Sequence, residues 1–288
     1  MKKFFNLLIV LISLSILFTA CYGSWNIFYD GNNVDNRTKE VLQITNAQDP
    51  LFAASGIASL SGSYNVLVVT DTHFGYGYKE APLAELYVWL DSVKNTSAAP
   101  VFAICLGDAV DTGDQSQYDE YLTFCNNLMN NYGIKLFFNS CGNHDIYQSH
   151  WGNWQSNCYP HTSLYKFETS GFSWYSLDTA SGTISRQQYE NIVNAFAADT
   201  KPKIVFSHYP LTEYHFAFGI GETTERNLLI TKFLQNNVKC YLGGHNHYSH
   251  SSYIGLNDYC CPSFRFNRKW AVLHVNENEG SATVSFVH

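Results

Sequence analysis

Charged residues are scarce in this chain, and basic residues are scarcer than acidic ones. Only 14% of the 288 residues are charged, whereas 45% are hydrophobic. This composition excludes an intrinsically disordered chain. The 17 lysine and arginine residues against 24 acidic residues give a net charge of −7. Without an excess of positive charge there is no basic field for a nucleic-acid backbone, so we expect no nucleic-acid polymer among the partners.

The sequence also lacks internal repeats, low-complexity tracts, proline-rich linkers and the CxxC spacing of zinc sites. These absences favour one main domain over several. Beyond residue 21 there are seven cysteines, an odd number that cannot all pair within the chain. Three of them lie in apolar runs, where cysteine is usually a small buried residue. A disulfide between Cys158 and Cys260 or Cys261 stays open.

The first twenty residues have the pattern of a secretory leader. Lys2 and Lys3 precede an apolar run over residues 4–18. This run is short for a membrane span, which needs about 20 residues. We therefore predict a signal peptide over residues 1–20 and an exported protein. A retained anchor helix is the alternative.

The end of this leader, Leu17-Phe18-Thr19-Ala20-Cys21, resembles a bacterial lipoprotein box, with Phe18 in place of the usual leucine. The resemblance implies that Cys21 becomes the lipidated first residue of the mature chain and attaches it to a membrane. Ordinary cleavage nearby, for example after Gly23, is the alternative. We expect either a membrane-anchored lipoprotein or a periplasmic or extracellular protein.

The rest of the chain divides into an N-terminal extension over residues 21–60, with a short helix near 37–44, and a domain over residues 61–288. In that domain, short apolar runs predict buried strands at residues 65–70, 100–106, 134–139, 203–206 and 238–242. Helices are predicted near residues 80–94, 115–131, 185–198 and 223–236. Further strands, some antiparallel, are predicted at 164–167, 172–177, 270–275 and 282–287. The alternation favours an α/β sandwich with helices over the sheet faces.

Five of these predicted strands are followed by side chains that bind metals, namely Asp71, His73, Asp108, Asn143, His208, His245 and His247. In open α/β sheets ligands bind at the carboxyl ends of the strands, so we expect these side chains to meet. Seven oxygen and nitrogen donors are too many for one first-row ion and suit two. Because only two of them are carboxylates, two divalent cations would keep a net positive charge, which attracts hydroxide and phosphate.

The same residues resemble, in order, the signature of the calcineurin-like metallophosphoesterases. The blocks are Asp71-Thr72-His73, Gly107-Asp108-Ala109-Val110-Asp111, Gly142-Asn143-His144-Asp145, Ser207-His208 and Gly244-His245-Asn246-His247. The resemblance implies a four-layer α/β/β/α sandwich of two mixed β-sheets flanked by helices, with a dinuclear metal site at the strand ends. It assigns Asp71, His73, Asp108 and His247 to one ion, and Asp108, Asn143, His208 and His245 to the other.

The resemblance further implies two divalent metal ions (Mn, Fe or Zn) and a bridging hydroxide that attacks a small-molecule phosphomonoester or phosphodiester. His144 is not a ligand in this pattern; it stabilises the transition state or protonates the leaving oxygen. We hypothesise that the Asp111 carboxylate accepts a hydrogen bond from His144 and holds its tautomer. A turn or helix-cap role for Asp111 is the alternative. Asp145 is expected to be an orienting acceptor.

This chain differs from the motifs of two subfamilies within the family, so neither subfamily is favoured. Protein Ser/Thr phosphatases have Arg-Gly after the last aspartate of the second block and end the third block in glutamate, whereas here Asp111 is followed by Thr112 and the third block ends in Asp145. Purple acid phosphatases have tyrosine at the position of Asp111. The chain is most similar to the small bacterial phosphodiesterase and phosphohydrolase branch. A noncatalytic surface lipoprotein that uses the same fold for binding is the alternative function.

Substrate contacts are predicted from two aromatic loops, residues 147–165 and 209–221, although their aromatic rings would equally serve to pack the loops themselves. His250 lies three residues after His247. We expect it to be an ordinary histidine, because the two ligand sets are complete without it.

Overall fold

The computed structural model describes residues 34–77, 80–212 and 223–287 of the chain. Two mixed β-sheets pack face to face, and helices cover the outer face of each sheet. The predicted signal peptide, Cys21 and most of the predicted loop at 209–221 lie outside the described residues. Among the helices that are described, none is long and apolar enough to cross a membrane.

The first sheet has five strands, which are β2 (Ser63–Val69), β3 (Pro100–Cys105), β4 (Phe137–Asn139), β11 (Trp270–Asn276) and β12 (Ser281–Val287). Their order is β12-β11-β2-β3-β4. Strands β2, β3 and β4 are parallel, whereas β11 is antiparallel to both of its neighbours. The carboxyl ends of three parallel strands therefore meet at one edge of this sheet.

The second sheet has seven strands, which are β1 (Leu42–Gln43), β5 (Tyr165–Glu168), β6 (Ser173–Ser176), β7 (Lys203–Phe206), β8 (Val238–Gly243), β9 (His250–Tyr253) and β10 (Asn257–Cys260). Their order is β1-β5-β6-β7-β8-β10-β9. Strands β6, β7, β8 and β10 form a parallel block at its centre.

Eight helices are described, namely α1 (Val34–Arg37), α2 (Pro50–Ser55), α3 (Glu80–Val93), α4 (Gln115–Tyr132), α5 (Trp151–Asn157), α6 (Ser185–Ala197), α7 (Thr223–Gln235) and α8 (Phe264–Asn267). Single 3₁₀ turns lie at Ile57–Ser59 and His144–Ser149. Helices α3 and α4 pack on the five-stranded sheet, and α6 and α7 pack on the seven-stranded sheet. The predicted four-layer α/β/β/α sandwich is confirmed.

The strands produce this layering because successive side chains point to opposite faces. On β3, Phe102 and Ile104 enter the core between the sheets, while Ala103 and Cys105 face the helices. Phe138 and Phe167 join the two sheets by stacking, with ring centroids 4.0 Å apart and planes at 6°. Strands buried on both faces read as continuous apolar runs, which is why they are visible in the sequence.

The short helix predicted near residues 37–44 is wrong. Helix α1 ends at Arg37, and Leu42–Gln43 instead forms the edge strand β1, which pairs in parallel with β5. Backbone pairing with a neighbouring strand outweighs the local helical preference. Strands β9 and β10 were not expected either. The four other predicted helices and nine predicted strands are present, with ends that differ by a few residues.

The residues before 61 pack on the same body as the rest of the described chain. Phe52 and Ile57 belong to the core between the sheets. Arg37 forms a buried, two-point ion pair with Asp178, at 2.7 and 3.0 Å. All seven cysteines in the described ranges are buried and free, so a disulfide of Cys158 with Cys260 or Cys261 is not formed.

Candidate metal centre

The seven predicted metal ligands converge at the adjoining edges of the two sheets. They follow β2, β3 and β4 in one sheet and β7 and β8 in the other. Their donor atoms fall into groups that lie within 4.8 Å of one another, including Asp71 with His73 and His247, and Asp108 with His208 and His245. A third such group joins His73, Asp108 and His144. The two sheets therefore contribute to one site.

Asp108 lies at the centre of this arrangement and is buried. Its Oδ1 accepts a hydrogen bond from the backbone N–H of His144 at 2.8 Å. Its Oδ2 lies 3.2 Å from Nε2 of His208 and 3.8 Å from Nε2 of His73. Asp108 thus contacts one histidine from each of two donor groups, His73 and His208.

His208, the histidine after β7, has more close polar neighbours among the described residues than its ring can serve. Nδ1 of His208 lies 3.1 Å from the carbonyl oxygen of Leu106, which can only accept, so Nδ1 carries a proton in either charge state of the ring. Nε2 of His208 lies close to three further ligand atoms, Oδ2 of Asp108 at 3.2 Å, Oδ1 of Asn143 at 3.1 Å and Nδ1 of His245 at 3.2 Å. A single proton on Nε2 cannot satisfy all three contacts, but one metal ion can bind all four atoms.

The other half of the site contains buried polar atoms that make no hydrogen bond. Oδ1 of Asp71 and both ring nitrogens of His73 make no well-aligned hydrogen bond with any described residue, although Nε2 of His247 lies 3.2 Å from Oδ1 of Asp71. A buried polar atom without a partner costs roughly 1–3 kcal/mol. Such atoms in a carboxylate and an imidazole suit a divalent cation, so this donor set fits a second ion.

The backbone at the candidate ligands is strained. Asp71, His73, Asp108, His245 and His247 all have positive φ values, between 42° and 65°. Non-glycine residues rarely adopt this left-handed conformation, which costs about 1–3 kcal/mol and collects at functional sites. These left-handed turns place Asp71 and His73 in one donor group, whereas His245 and His247 enter different groups.

Two motif glycines allow the strand ends to approach closely. A Cβ atom at Gly142 would overlap the backbone nitrogen and Oδ1 of Asp108. A Cβ atom at Gly244 would overlap Oγ1 of Thr70. Because the neighbours are backbone or short buried side chains, they have little room to move. Glycine is therefore required for the assembly of the site.

Comparison with known proteins identifies the family. The sequence profile of the calcineurin-like phosphoesterases matches residues 64–249, which include every predicted site residue. The chain belongs to the calcineurin-like phosphoesterase family. It is therefore a phosphoester hydrolase of a metal-dependent family. No curated protein matches it significantly by sequence.

Solved structures agree with this fold at low sequence identity. A dimetal phosphatase from Danio rerio has 11% identity and a TM-score of 0.58, and the match covers 75% of this chain and 94% of the other. GAP50, described as the anchor in the inner membrane complex of Plasmodium, has 13% identity and a TM-score of 0.55, with coverage of 79% and 85%.

The predicted acid of this phosphoesterase, His144, is held differently from our hypothesis. Nδ1 of His144 donates to the backbone carbonyl of Asp111 at 2.7 Å, whereas the Asp111 carboxylate is 3.7 Å away. That carboxylate lies closer to Nδ1 of His73, at 3.3 Å. The carbonyl is the better acceptor because the backbone of the loop after β3 runs beside the imidazole ring. Asp145 is an orienting acceptor, as expected, and binds the N–H groups of Gly142 and Val110.

Charges within the phosphoesterase site shift its pKa values in opposite directions. Burial opposes ionisation of Asp71, but contact with His247 and the charge of His208 lower its pKa to about 2. Burial lowers the pKa of His245 to about 3, and the neighbouring charge of His208 adds to this effect. His208 behaves differently: against the effect of burial, the charge of Asp108 raises its pKa to about 9. At neutral pH the metal-free site thus keeps a proton on His208.

Other predicted contacts fall outside the metal centre or outside the described residues. Trp154 is fully buried and stacks on Trp151 at 5.1 Å, so these rings pack their own loop. Tyr214, His215 and Phe216 lie outside the described residues. His250 belongs to none of the donor groups, as expected. A cavity of about 580 Å³ between α2, α4 and β4 contains no predicted site residue.

Sequence reasoning missed the aromatic side of the site. Phe266, on α8, stacks on His247 with ring centroids 4.9 Å apart and also contacts His73 at 5.5 Å. The hydroxyl of Tyr147 lies 3.4 Å from Nε2 of His144. Residue 147 belonged to a predicted substrate loop. The sequence did not identify Phe266 as a site residue, because it lies on α8, which follows the unexpected strand β10.

The raised pKa of His208 predicts that metal binding releases a proton. The proton is present at pH 7 and is lost as the pH rises through about 9. Metal ligands must be deprotonated, so the affinity for Mn²⁺ or Zn²⁺ should rise over this range and binding at pH 7 should release about one proton per chain. Calorimetry in buffers of different ionisation enthalpy measures this number. Metal affinity that is constant between pH 6 and 9 would contradict the assignment of His208.

Proposed function

We propose that this protein is an exported phosphohydrolase that cleaves small-molecule phosphomonoesters or phosphodiesters at a dinuclear metal centre. The observation that carries the proposal is the division of the buried donors into two groups that share contact with Asp108. One group contains buried polar atoms without well-aligned hydrogen bonds, and the other places three ligand atoms around a single nitrogen. One cation bound by each group would satisfy these polar atoms.

In this proposal, Asp71, His73 and His247 would hold one ion, and Asn143, His208 and His245 would hold the other, with Asp108 shared between them. The ions are Mn, Fe or Zn, because the donors are imidazole, carboxylate and amide groups without a thiolate. When bound, they would supply Lewis acidity toward a water molecule and toward the oxygens of the phosphoryl group. Asp71 and Asp108 remain ionised at neutral pH and are ready to bind them.

His144 would move the proton to the leaving group. Its Nδ1–H donates to the carbonyl of Asp111, so Nε2 is the nitrogen that faces a leaving oxygen, and it gives up a proton there when the ring is in its imidazolium form. The His144 side chain is 29% exposed, whereas Asp71, Asp108 and His208 are buried. The His247 side chain is 36% exposed. A substrate would therefore reach the centre between His144 and His247 without disturbing the buried ligands.

Export is supported by the leader over residues 1–20, and membrane attachment by the lipoprotein-like sequence that ends at Cys21. We expect the full-length protein in the membrane fraction and a Cys21→Ser variant outside it. Fractionation of cells that produce each form tests this expectation. A Cys21→Ser variant that stays in the membrane fraction would contradict lipid attachment and favour a retained anchor helix.

The hydrolytic function is tested with p-nitrophenyl phosphate and bis-p-nitrophenyl phosphate in the presence of Mn²⁺, Fe²⁺ or Zn²⁺. We expect metal-dependent hydrolysis of at least one ester. Asp108→Asn should abolish both hydrolysis and binding of two ions, because it removes the shared carboxylate. His144→Ala should lower kcat by about 10²–10⁴ while the metal content, measured by elemental analysis, stays at two ions per chain.

The controls are Asp119→Asn and His274→Ala, which change exposed residues outside the donor groups and should leave both readouts unaltered. Loss of metal in His144→Ala would make His144 a ligand and contradict its role as an acid. A folded protein that binds no metal and hydrolyses neither ester would favour the noncatalytic binding function instead.

A further inference from the structure

Within the described part of the chain, an arginine beside the metal centre has no partner for its charge. Arg265, the second residue of α8, has a buried Nη1 atom that makes no hydrogen bond with any described residue. No described carboxylate lies within ion-pair distance of its guanidinium, although Asp111 and Glu80 act on it from further away. A buried guanidinium N–H without an acceptor is costly, so this position favours the binding of an anion.

The guanidinium lies against two exposed aromatic rings that also contact each other. Its central carbon lies 5.2 Å from the ring of Tyr76 and 6.0 Å from the ring of Phe266. These rings are 51% and 50% exposed, which is unusual for large aromatic residues that contact each other at 5.9 Å. A backbone with φ of +45° at Gly77 brings the loop after β2 close to the guanidinium, so that a Cβ there would lie 3.4 Å from Nη2.

This group of residues is fixed relative to the metal centre. Ser263 caps α8 by accepting from the N–H of Phe266, and its hydroxyl donates to the carbonyl of Asp71 at 3.1 Å. The N–H of Arg265 points to the same carbonyl at 3.3 Å. Phe266 stacks on His247, and the guanidinium carbon lies 6.0 Å from the centroid of the same Phe266 ring. The positive charge is therefore adjacent to the ring that packs on the candidate ligand His247.

We propose that Arg265, Tyr76 and Phe266 form a subsite that binds a second anionic group on the leaving group of the substrate. The two rings contact the body of the leaving group, and the guanidinium binds its carboxylate or phosphate. The substrate class is thus a phosphoester whose leaving group carries its own negative charge. This inference rests on the proposed phosphoesterase function, which supplies the scissile phosphoryl group at the metal centre.

Matched pairs of small probes test the subsite. Phenylphosphonate and 4-carboxyphenylphosphonate cannot be hydrolysed and differ by one carboxylate placed one ring away from the phosphonate. Calorimetry with the metal-loaded protein should show at least about tenfold tighter binding of the carboxylated probe, as expected for a charge-assisted hydrogen bond. In the Arg265→Met variant this ratio should fall to about one. Arg265→Lys, which keeps the charge but not the planar fork, should retain part of it.

Arg268→Met is the matched control, because Arg268 lies three residues away, is 57% exposed in its side chain and pairs with Glu85. It should keep the full preference. Equal binding of the two probes to the unmodified protein, or an unchanged ratio in Arg265→Met, would overturn the proposal. Hydrolysis of phenyl phosphate is measured in parallel. If phenyl phosphate is hydrolysed but the carboxylated probe is not preferred, only the subsite is wrong. If neither probe binds and phenyl phosphate is not hydrolysed, the proposed function fails as well.

Discussion

The structure of the site depends on the surroundings of one nitrogen atom, Nε2 of His208. A carboxylate, an amide oxygen and an imidazole nitrogen lie within 3.2 Å of it, and it belongs to a ring whose other nitrogen is bound to a backbone carbonyl. Buried polar groups are normally paired one to one, and this cluster cannot be. The protein holds these acceptors together at a cost in stability, and a bound cation would remove that cost.

The rest of the fold keeps these ligand atoms close together. The parallel strands of two different sheets end side by side, and the stacked aromatic rings between the sheets keep these ends in place. Glycines at 142 and 244 remove the Cβ atoms that would separate the strand ends. Left-handed turns at five of the candidate ligands direct their side chains inward. The buried pair of Arg37 and Asp178 ties the N-terminal residues to the end of β6 in the same body.

Much of this arrangement is predictable from sequence because the ligands follow buried parallel strands, and such strands are continuous apolar runs. The position of Asp71 or His245 after its strand is enough to place it at the sheet edge. Contacts made by the backbone are not predictable in this way. The carbonyl of Asp111, rather than its carboxylate, holds His144, and the choice depends on the path of a loop. Phe266 and Arg265 meet His73 and Tyr76 across some 190 positions of sequence, a separation that local patterns do not encode.

The central expectation is that two ions bind on either side of Asp108. Anomalous X-ray diffraction from crystals of the protein loaded with Mn²⁺ or Zn²⁺ tests it most directly. We predict two anomalous peaks, both in contact with the Asp108 carboxylate, one also bound by Asp71, His73 and His247 and the other by Asn143, His208 and His245. A single peak, or two peaks that do not share Asp108, would contradict the account.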